Sequence, residues 1–154
     1  MRISDLISAA SILPALKASS KKQVLQEMCA TAALNSGLPE REILYTITQR
    51  ERVGSTGAGN GVAIPHGKFA KLNRIVGVFA RLEKPVDYDS PDGVPVDLLF
   101  MLLAPEGAGA DHLKALSRVA RLLRDPEITG KLRATKDIDG LYLLMTQDAK
   151  PFAA

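Results

Sequence analysis

The chain has 154 residues, 46% hydrophobic and 24% charged, with a formal net charge of +3. That length suits a single domain over residues 1–154 with a sizeable core. The small positive balance, spread among acids, excludes the dense basic face that binds nucleic acid, and the lone Cys29 excludes a disulfide framework and a multi-cysteine metal site.

Met1-Arg2-Ile3-Ser4-Asp5-Leu6 lacks the apolar run of a signal peptide, so a reducing, cytoplasmic setting is expected. Ser20-Lys21-Lys22-Gln23 is a capping box, with Ser20 capping and Gln23 reaching back. Val24, Leu25, Met28, Cys29, Ala32 and Ala33 follow at helical spacing, and Gly37 ends the helix. Cys29 reads as a small buried hydrophobe. A second helix starts near Pro39, turns Ile43, Leu44 and Ile47 inward, and closes at Arg50-Glu51-Arg52.

Ile75 to Arg81 reads as a strand. Pro85, Pro91, Asp92-Gly93 and Pro95 make Leu82 to Pro95 a loop. Val96 to Ala104 is apolar on both faces, as a central strand is. It carries Asp97 and is about half a membrane span, so no membrane insertion is expected. After the loop from Pro105 to Ala110, Asp111 is expected to cap a helix with Leu113, Leu116, Val119, Ala120 and Leu123 inward. A short helix runs from Asp125-Pro126 to Leu132. A last one spans about Asp137 to Met145, and Lys150 to Ala154 are expected to fray. Helices that can cover both faces of a sheet give an α/β fold in three layers.

Gly54, Gly57, Gly59 and Gly61 mark tight turns with exposed amides, which can hold an anion. The segment is no Walker loop, because Val62-Ala63 follows Gly61 where a lysine and a hydroxyl residue belong. Its glycine spacing fails the dinucleotide pattern too. Ser55 lacks the nucleophile elbow of a serine hydrolase. Phe69 and Leu72 read equally as partner-docking residues or as packing under the sheet.

The chain has two histidines. Val62-Ala63-Ile64 is a short strand-like piece, Pro65 ends it, and His66-Gly67 follows at a strand edge or loop mouth. That setting presents an imidazole with little freedom, as a phosphoryl acceptor requires. His112 falls at a helix N-terminus, where free amides and the positive end of the helix favour an anion and disfavour an imidazolium. Asp111 opposes this unless its carboxylate is occupied in capping. Two histidines plus Asp111 would be the minimum for a zinc site, and no close ligand spacing such as His-x-x-x-His is present, which disfavours metal hydrolysis.

The stretch Arg50-Glu51-Arg52-Val53-Gly54-Ser55-Thr56-Gly57-Ala58-Gly59-Asn60-Gly61-Val62-Ala63-Ile64-Pro65-His66-Gly67-Lys68 closely resembles the signature of the mannitol/fructose-type IIA domains of the bacterial phosphotransferase system. Asp111-His112-Leu113-Lys114-Ala115-Leu116 resembles their second active-site element, and the whole is most like the nitrogen-regulatory branch. The resemblance implies a three-layer α/β/α sandwich with a mixed central sheet. It implies that His66 takes a phosphoryl group at Nε2 from the phosphohistidine of an HPr-like carrier, without ATP, metal or other cofactor. His112 would orient and stabilise the phosphoryl group, and Arg50 would compensate its charge. The regulatory branch implies targets such as potassium-transport and sensor-kinase proteins. The alternatives are a sugar-transport component that hands phosphate to a IIB protein, and an interaction module without transfer.

Overall fold

The computed structural model describes residues 1–147; the fraying expected over 150–154 lies outside them. Its centre is the strand Val96–Pro105, where only Asp97 and Pro105 escape full burial. Strands in chain order are β1 (Ile12–Leu16), β2 (Gly57–Gly59), β3 (Val62–Ala63), β4 (His66–Phe69), β5 (Val76–Val86) and β6 (Val96–Pro105). They form one six-stranded sheet in the order β1-β5-β6-β3-β2, with β4 also on β6. The sheet is mixed: β1 is parallel to β5, β6 is antiparallel to β5, and β3 and β4 run parallel to β6.

The helices are α1 (Lys21–Ser36), α2 (Glu40–Val53), α3 (Ala110–Arg124), α4 (Pro126–Ala134) and α5 (Ile138–Thr146). Side chains alternate across a strand, so β6 feeds two cores. Leu99, Met101 and Leu103 pack with Val24, Met28, Ile43 and Ile47 of α1 and α2. Leu98, Phe100, Leu102 and Ala104 pack with Ala115, Val119, Leu132 and Leu141 of α3, α4 and α5. Each such leucine or phenylalanine contributes about 1.5–3 kcal/mol by leaving water. The three-layer α/β/α sandwich with a mixed central sheet is therefore present.

Local signals place the helices. Ser20 Oγ accepts the Gln23 amide at 3.1 Å, while Gln23 Oε1 reaches one residue further back, to the Ser19 amide at 2.8 Å. Gly37 ends α1 with φ +78°, a conformation that favours glycine. Burial pushes the Cys29 thiol up to about 12, so it is inert packing.

Three expectations need correction. Leu82–Val86 continues β5 rather than forming a loop. Pro85 is tolerated because its stretch has left both neighbours: β1 pairing ends at Leu82, and the register with β6 shifts between Arg81 and Val86. The N-cap of α3 is Gly109, not Asp111, which lies exposed inside the first turn. Leu113 is 68% exposed, because the buried stripe of α3 runs through His112, Ala115, Val119 and Leu123. The parallel strand β1 carried no recognised signal in the sequence.

Candidate functional site

The site forms where one edge of the sheet meets the start of α3. β3 and β4 are two pieces of one strand along β6, interrupted at Ile64-Pro65. Ala63 pairs with Leu99 and His66 with Leu102, so the register survives the interruption. The Leu102 amide keeps the ladder intact by donating to the Pro65 carbonyl at 2.9 Å. Proline contributes an acceptor there and needs no donor. Alternation then sends Gly67 and Phe69 toward α2, where a Cβ on Gly67 would meet Thr46 and Ile47. His66 and Lys68 face the α3 side.

His66 is half-buried, and its Nδ1 lies 2.9 Å from the carbonyl of Ile64. A carbonyl only accepts, so Nδ1 carries the proton and Nε2 keeps a free lone pair. This tautomer offers Nε2 as the nucleophile.

His112 sits in the first turn of α3 and is only 5% exposed. Its ring stands edge-on to that of His66, with centroids 5.7 Å apart and planes at 68°. Its buried Nε2 has no hydrogen-bond partner among the described residues. Burial first, then the charges of His66 and Lys68, hold its pKa below the ordinary histidine value. A neutral imidazole with an unmet polar atom beside a nucleophile is suited to receive an oxygen of the transferring group.

Arg50 is in the last turn of α2, where Nη1 donates to the Gly54 carbonyl at 2.7 Å. Neither histidine is among its hydrogen-bond partners, and α2 covers the face opposite α3. Phe69 and Leu72 are 2% and 7% exposed within the α1–α2 core, so they pack under the sheet and cannot dock a partner. Two residues missed in the sequence lie beside the histidines. Lys68 shares the face of His66 by strand alternation, a signal that was available once β4 was known to be a strand. Leu113 is an apolar side chain presented to solvent next to His112.

Among the described residues no group of three or more His, Cys, Asp or Glu side chains is arranged to hold a metal, and no helix is long and apolar enough to cross a membrane. The family model of the phosphoenolpyruvate-dependent sugar phosphotransferase system, EIIA 2, matches residues 5–148. A nitrogen regulatory protein of Bradyrhizobium diazoefficiens is 58% identical over 145 residues, covering 94% of this chain and 95% of that protein. The crystal structure of nitrogen regulatory protein IIA-Ntr from Neisseria meningitidis superposes with TM-score 0.89 at 34% identity, covering 94% of this chain and 99% of that one. The fold alone is shared with enzyme IIAMTL of Escherichia coli, solved in complex with phosphorylated enzyme IIBMTL, at TM-score 0.77 and 19% identity, covering 90% of this chain and 96% of that one.

Proposed function

The chain belongs to the EIIA 2 family of the phosphoenolpyruvate-dependent sugar phosphotransferase system, and from that premise we propose that it is a histidine phosphoryl carrier whose phosphorylation state regulates partner proteins. The observation that carries this reading is the histidine pair: His66 with Nδ1 tied to Ile64 and Nε2 free, and His112 edge-on at 5.7 Å. The single domain works in the cytoplasm, where an HPr-like phosphohistidine protein is the donor.

The step balances without cofactor or metal. The Nε2 lone pair of His66 attacks phosphorus, an N–P bond forms, and the donor's N–P bond breaks with its electron pair returning to the donor imidazole. Positioning and charge compensation suffice for such a transfer. His112 Nε2–H donates to a phosphoryl oxygen, Lys68 adds positive charge from the same face, and Leu113 is the apolar contact for the docking protein. Arg50, at the end of α2, is assigned charge compensation on the sequence resemblance.

A phosphoryl group brings about −1.5 to −2 charge to the face that carries the two histidines, enough to change what docks there. Similarity to nitrogen regulatory proteins supports a regulatory role, and the recipients proposed for it are potassium-transport and sensor-kinase proteins. A second reading, onward transfer to a IIB protein, draws support from the complex in which IIAMTL was solved.

The test is incubation with phosphoenolpyruvate and the upstream phosphocarriers, followed by mapping of the labelled residue. Acid-labile, base-stable label is expected on His66 and absent from a folded His66→Ala variant. Undiminished label in that variant would end the assignment. Pull-downs with wild type, His66→Ala and His66→Asp separate the recipients, a IIB protein that takes the label favouring transport.

A further inference from the structure

Behind the histidine lies a carboxylate that the transfer step does not touch. Glu51 is at the C-terminal end of α2, and its side chain is 5% exposed. It is an acceptor for four donors. Lys21 Nζ lies 2.9 Å away, the Thr56 amide 3.1 Å and the Tyr88 hydroxyl 3.1 Å, and the Thr56 hydroxyl donates to the same carboxylate. Lys21 also stands 4.4 Å over the Tyr88 ring, which closes the cluster from the solvent side.

The chain of bonds continues from this cluster to the reacting ring. The Thr56 carbonyl accepts the Ile64 amide at 3.1 Å, and the Ile64 carbonyl accepts Nδ1–H of His66 at 2.9 Å. Ile64 is thus held by its N–H on one side and offers its C=O on the other. The bond to β6 is made by Pro65 instead, which leaves the Ile64 carbonyl for the imidazole. The next residue being proline also restricts Ile64 to extended geometry.

We infer that Glu51 is a positioning residue that, through Thr56 and Ile64, fixes the tautomer and orientation of His66. This rests on the carrier reading of His66. Without the carboxylate, the Thr56 amide and hydroxyl lose their anchor and the glycine-rich segment loosens from the strand edge. The Ile64 carbonyl then wanders from Nδ1. His66 redistributes between tautomers, and the form protonated at Nε2 has no lone pair for phosphorus. Partners that orient a metal-ligating histidine through its second nitrogen change affinity or activity by about 10–100-fold when removed, and that is the scale expected for Glu51 here.

The experiment uses the full chain, uniformly labelled with 15N, and two readouts. Long-range 1H–15N spectra of the unphosphorylated protein report which nitrogen of His66 carries the proton. Transfer from the phosphocarrier reports rate. Glu51→Ala is expected to show mixed tautomers and a rate lowered by about tenfold or more. Glu51→Gln, which keeps an acceptor for the Thr56 amide, is expected to retain the Nδ1–H tautomer and most of the rate. Thr56→Val removes the hydroxyl anchor with little change of shape, is expected to fall between them, and decides the matter if Glu51→Ala does not fold. A single Nδ1–H tautomer in Glu51→Ala, or in Thr56→Val where that variant decides, overturns the inference whatever the rate does. Absence of label in wild type would end the carrier reading alone, since the tautomer spectra judge Glu51 independently.

Discussion

His66 and His112 face each other at 5.7 Å, yet one is half open to solvent and the other is 95% withdrawn from it. The open ring can meet a second protein, and the closed ring can meet only what the open one receives. We propose different roles for the two rings on that ground, although the residue type is the same.

Replacing the closed ring should slow transfer without moving the label. His112→Ala is expected to lower the rate by about 100–1,000-fold, the range lost with one donor to a developing negative charge. His112→Gln, whose amide can occupy the position of Nε2, should recover part of the loss. Rapid-quench labelling measures this, and a label that moves wholly to residue 112 in the wild-type complex would reverse the roles.

Stability should fall in mild acid because of His112. Burial, helped by the charges of His66 and Lys68, keeps its folded pKa below the 6.5 of an unperturbed histidine. Below that ordinary value the unfolded chain takes up a proton that the folded chain resists. The contribution is therefore complete above about pH 6.5 and is lost as pH drops through the lowered value. Melting temperature followed from about pH 7.5 to 5 should decline less in His112→Gln than in wild type. Equal slopes would show that this ring does not carry the effect.

Leu113 should matter to docking and to nothing else in the fold. Its exposure predicts a stability change within about 0.5 kcal/mol for Leu113→Ala. Transfer from the protein donor should show a raised KM with kcat little changed, the pattern of lost uniform binding. A raised KM that appears only together with a lowered melting temperature would contradict the docking role.

Gly57, the first residue of β2, lies against the loop that joins β5 to β6. A Cβ there would lie 2.2 Å from Ser90 Oγ and 2.8 Å from Ser90 Cβ. Gly57→Ala should destabilise by about 1–3 kcal/mol through overpacking. Adding Ser90→Gly should return most of it, as urea unfolding of the single and double variants would reveal. Strictly additive losses would mean that the contact is not the cause.

Much of this architecture was legible in the sequence because burial leaves repeated marks. The apolar run Val96 to Ala104, the Ser20 cap and the Gly37 stop each reflect a local physical demand. Misreadings arose where tertiary context overrode a local rule. Pro85 looked like a breaker, but it lies where the strand has no neighbour needing its N–H. Leu113 looked inward, but a histidine occupies the first place in the buried stripe of α3 and turns the leucine out. His66 and His112 were marked by rarity and by flanking residues. Their separation, the tie from Ile64 and the carboxylate behind Thr56 depend on contacts between distant segments, which no local pattern records.

The unbroken register between Ala63 and His66 makes the length of that short bridge a matter of handedness. Removing one residue from it would flip the imidazole through the sheet, from the α3 side to the space already filled by Thr46 and Ile47. The reactive ring would then be walled off with its chemistry intact. Sequence changes elsewhere in the glycine-rich segment alter how the ring is held, whereas a single deletion here decides whether it meets another protein at all.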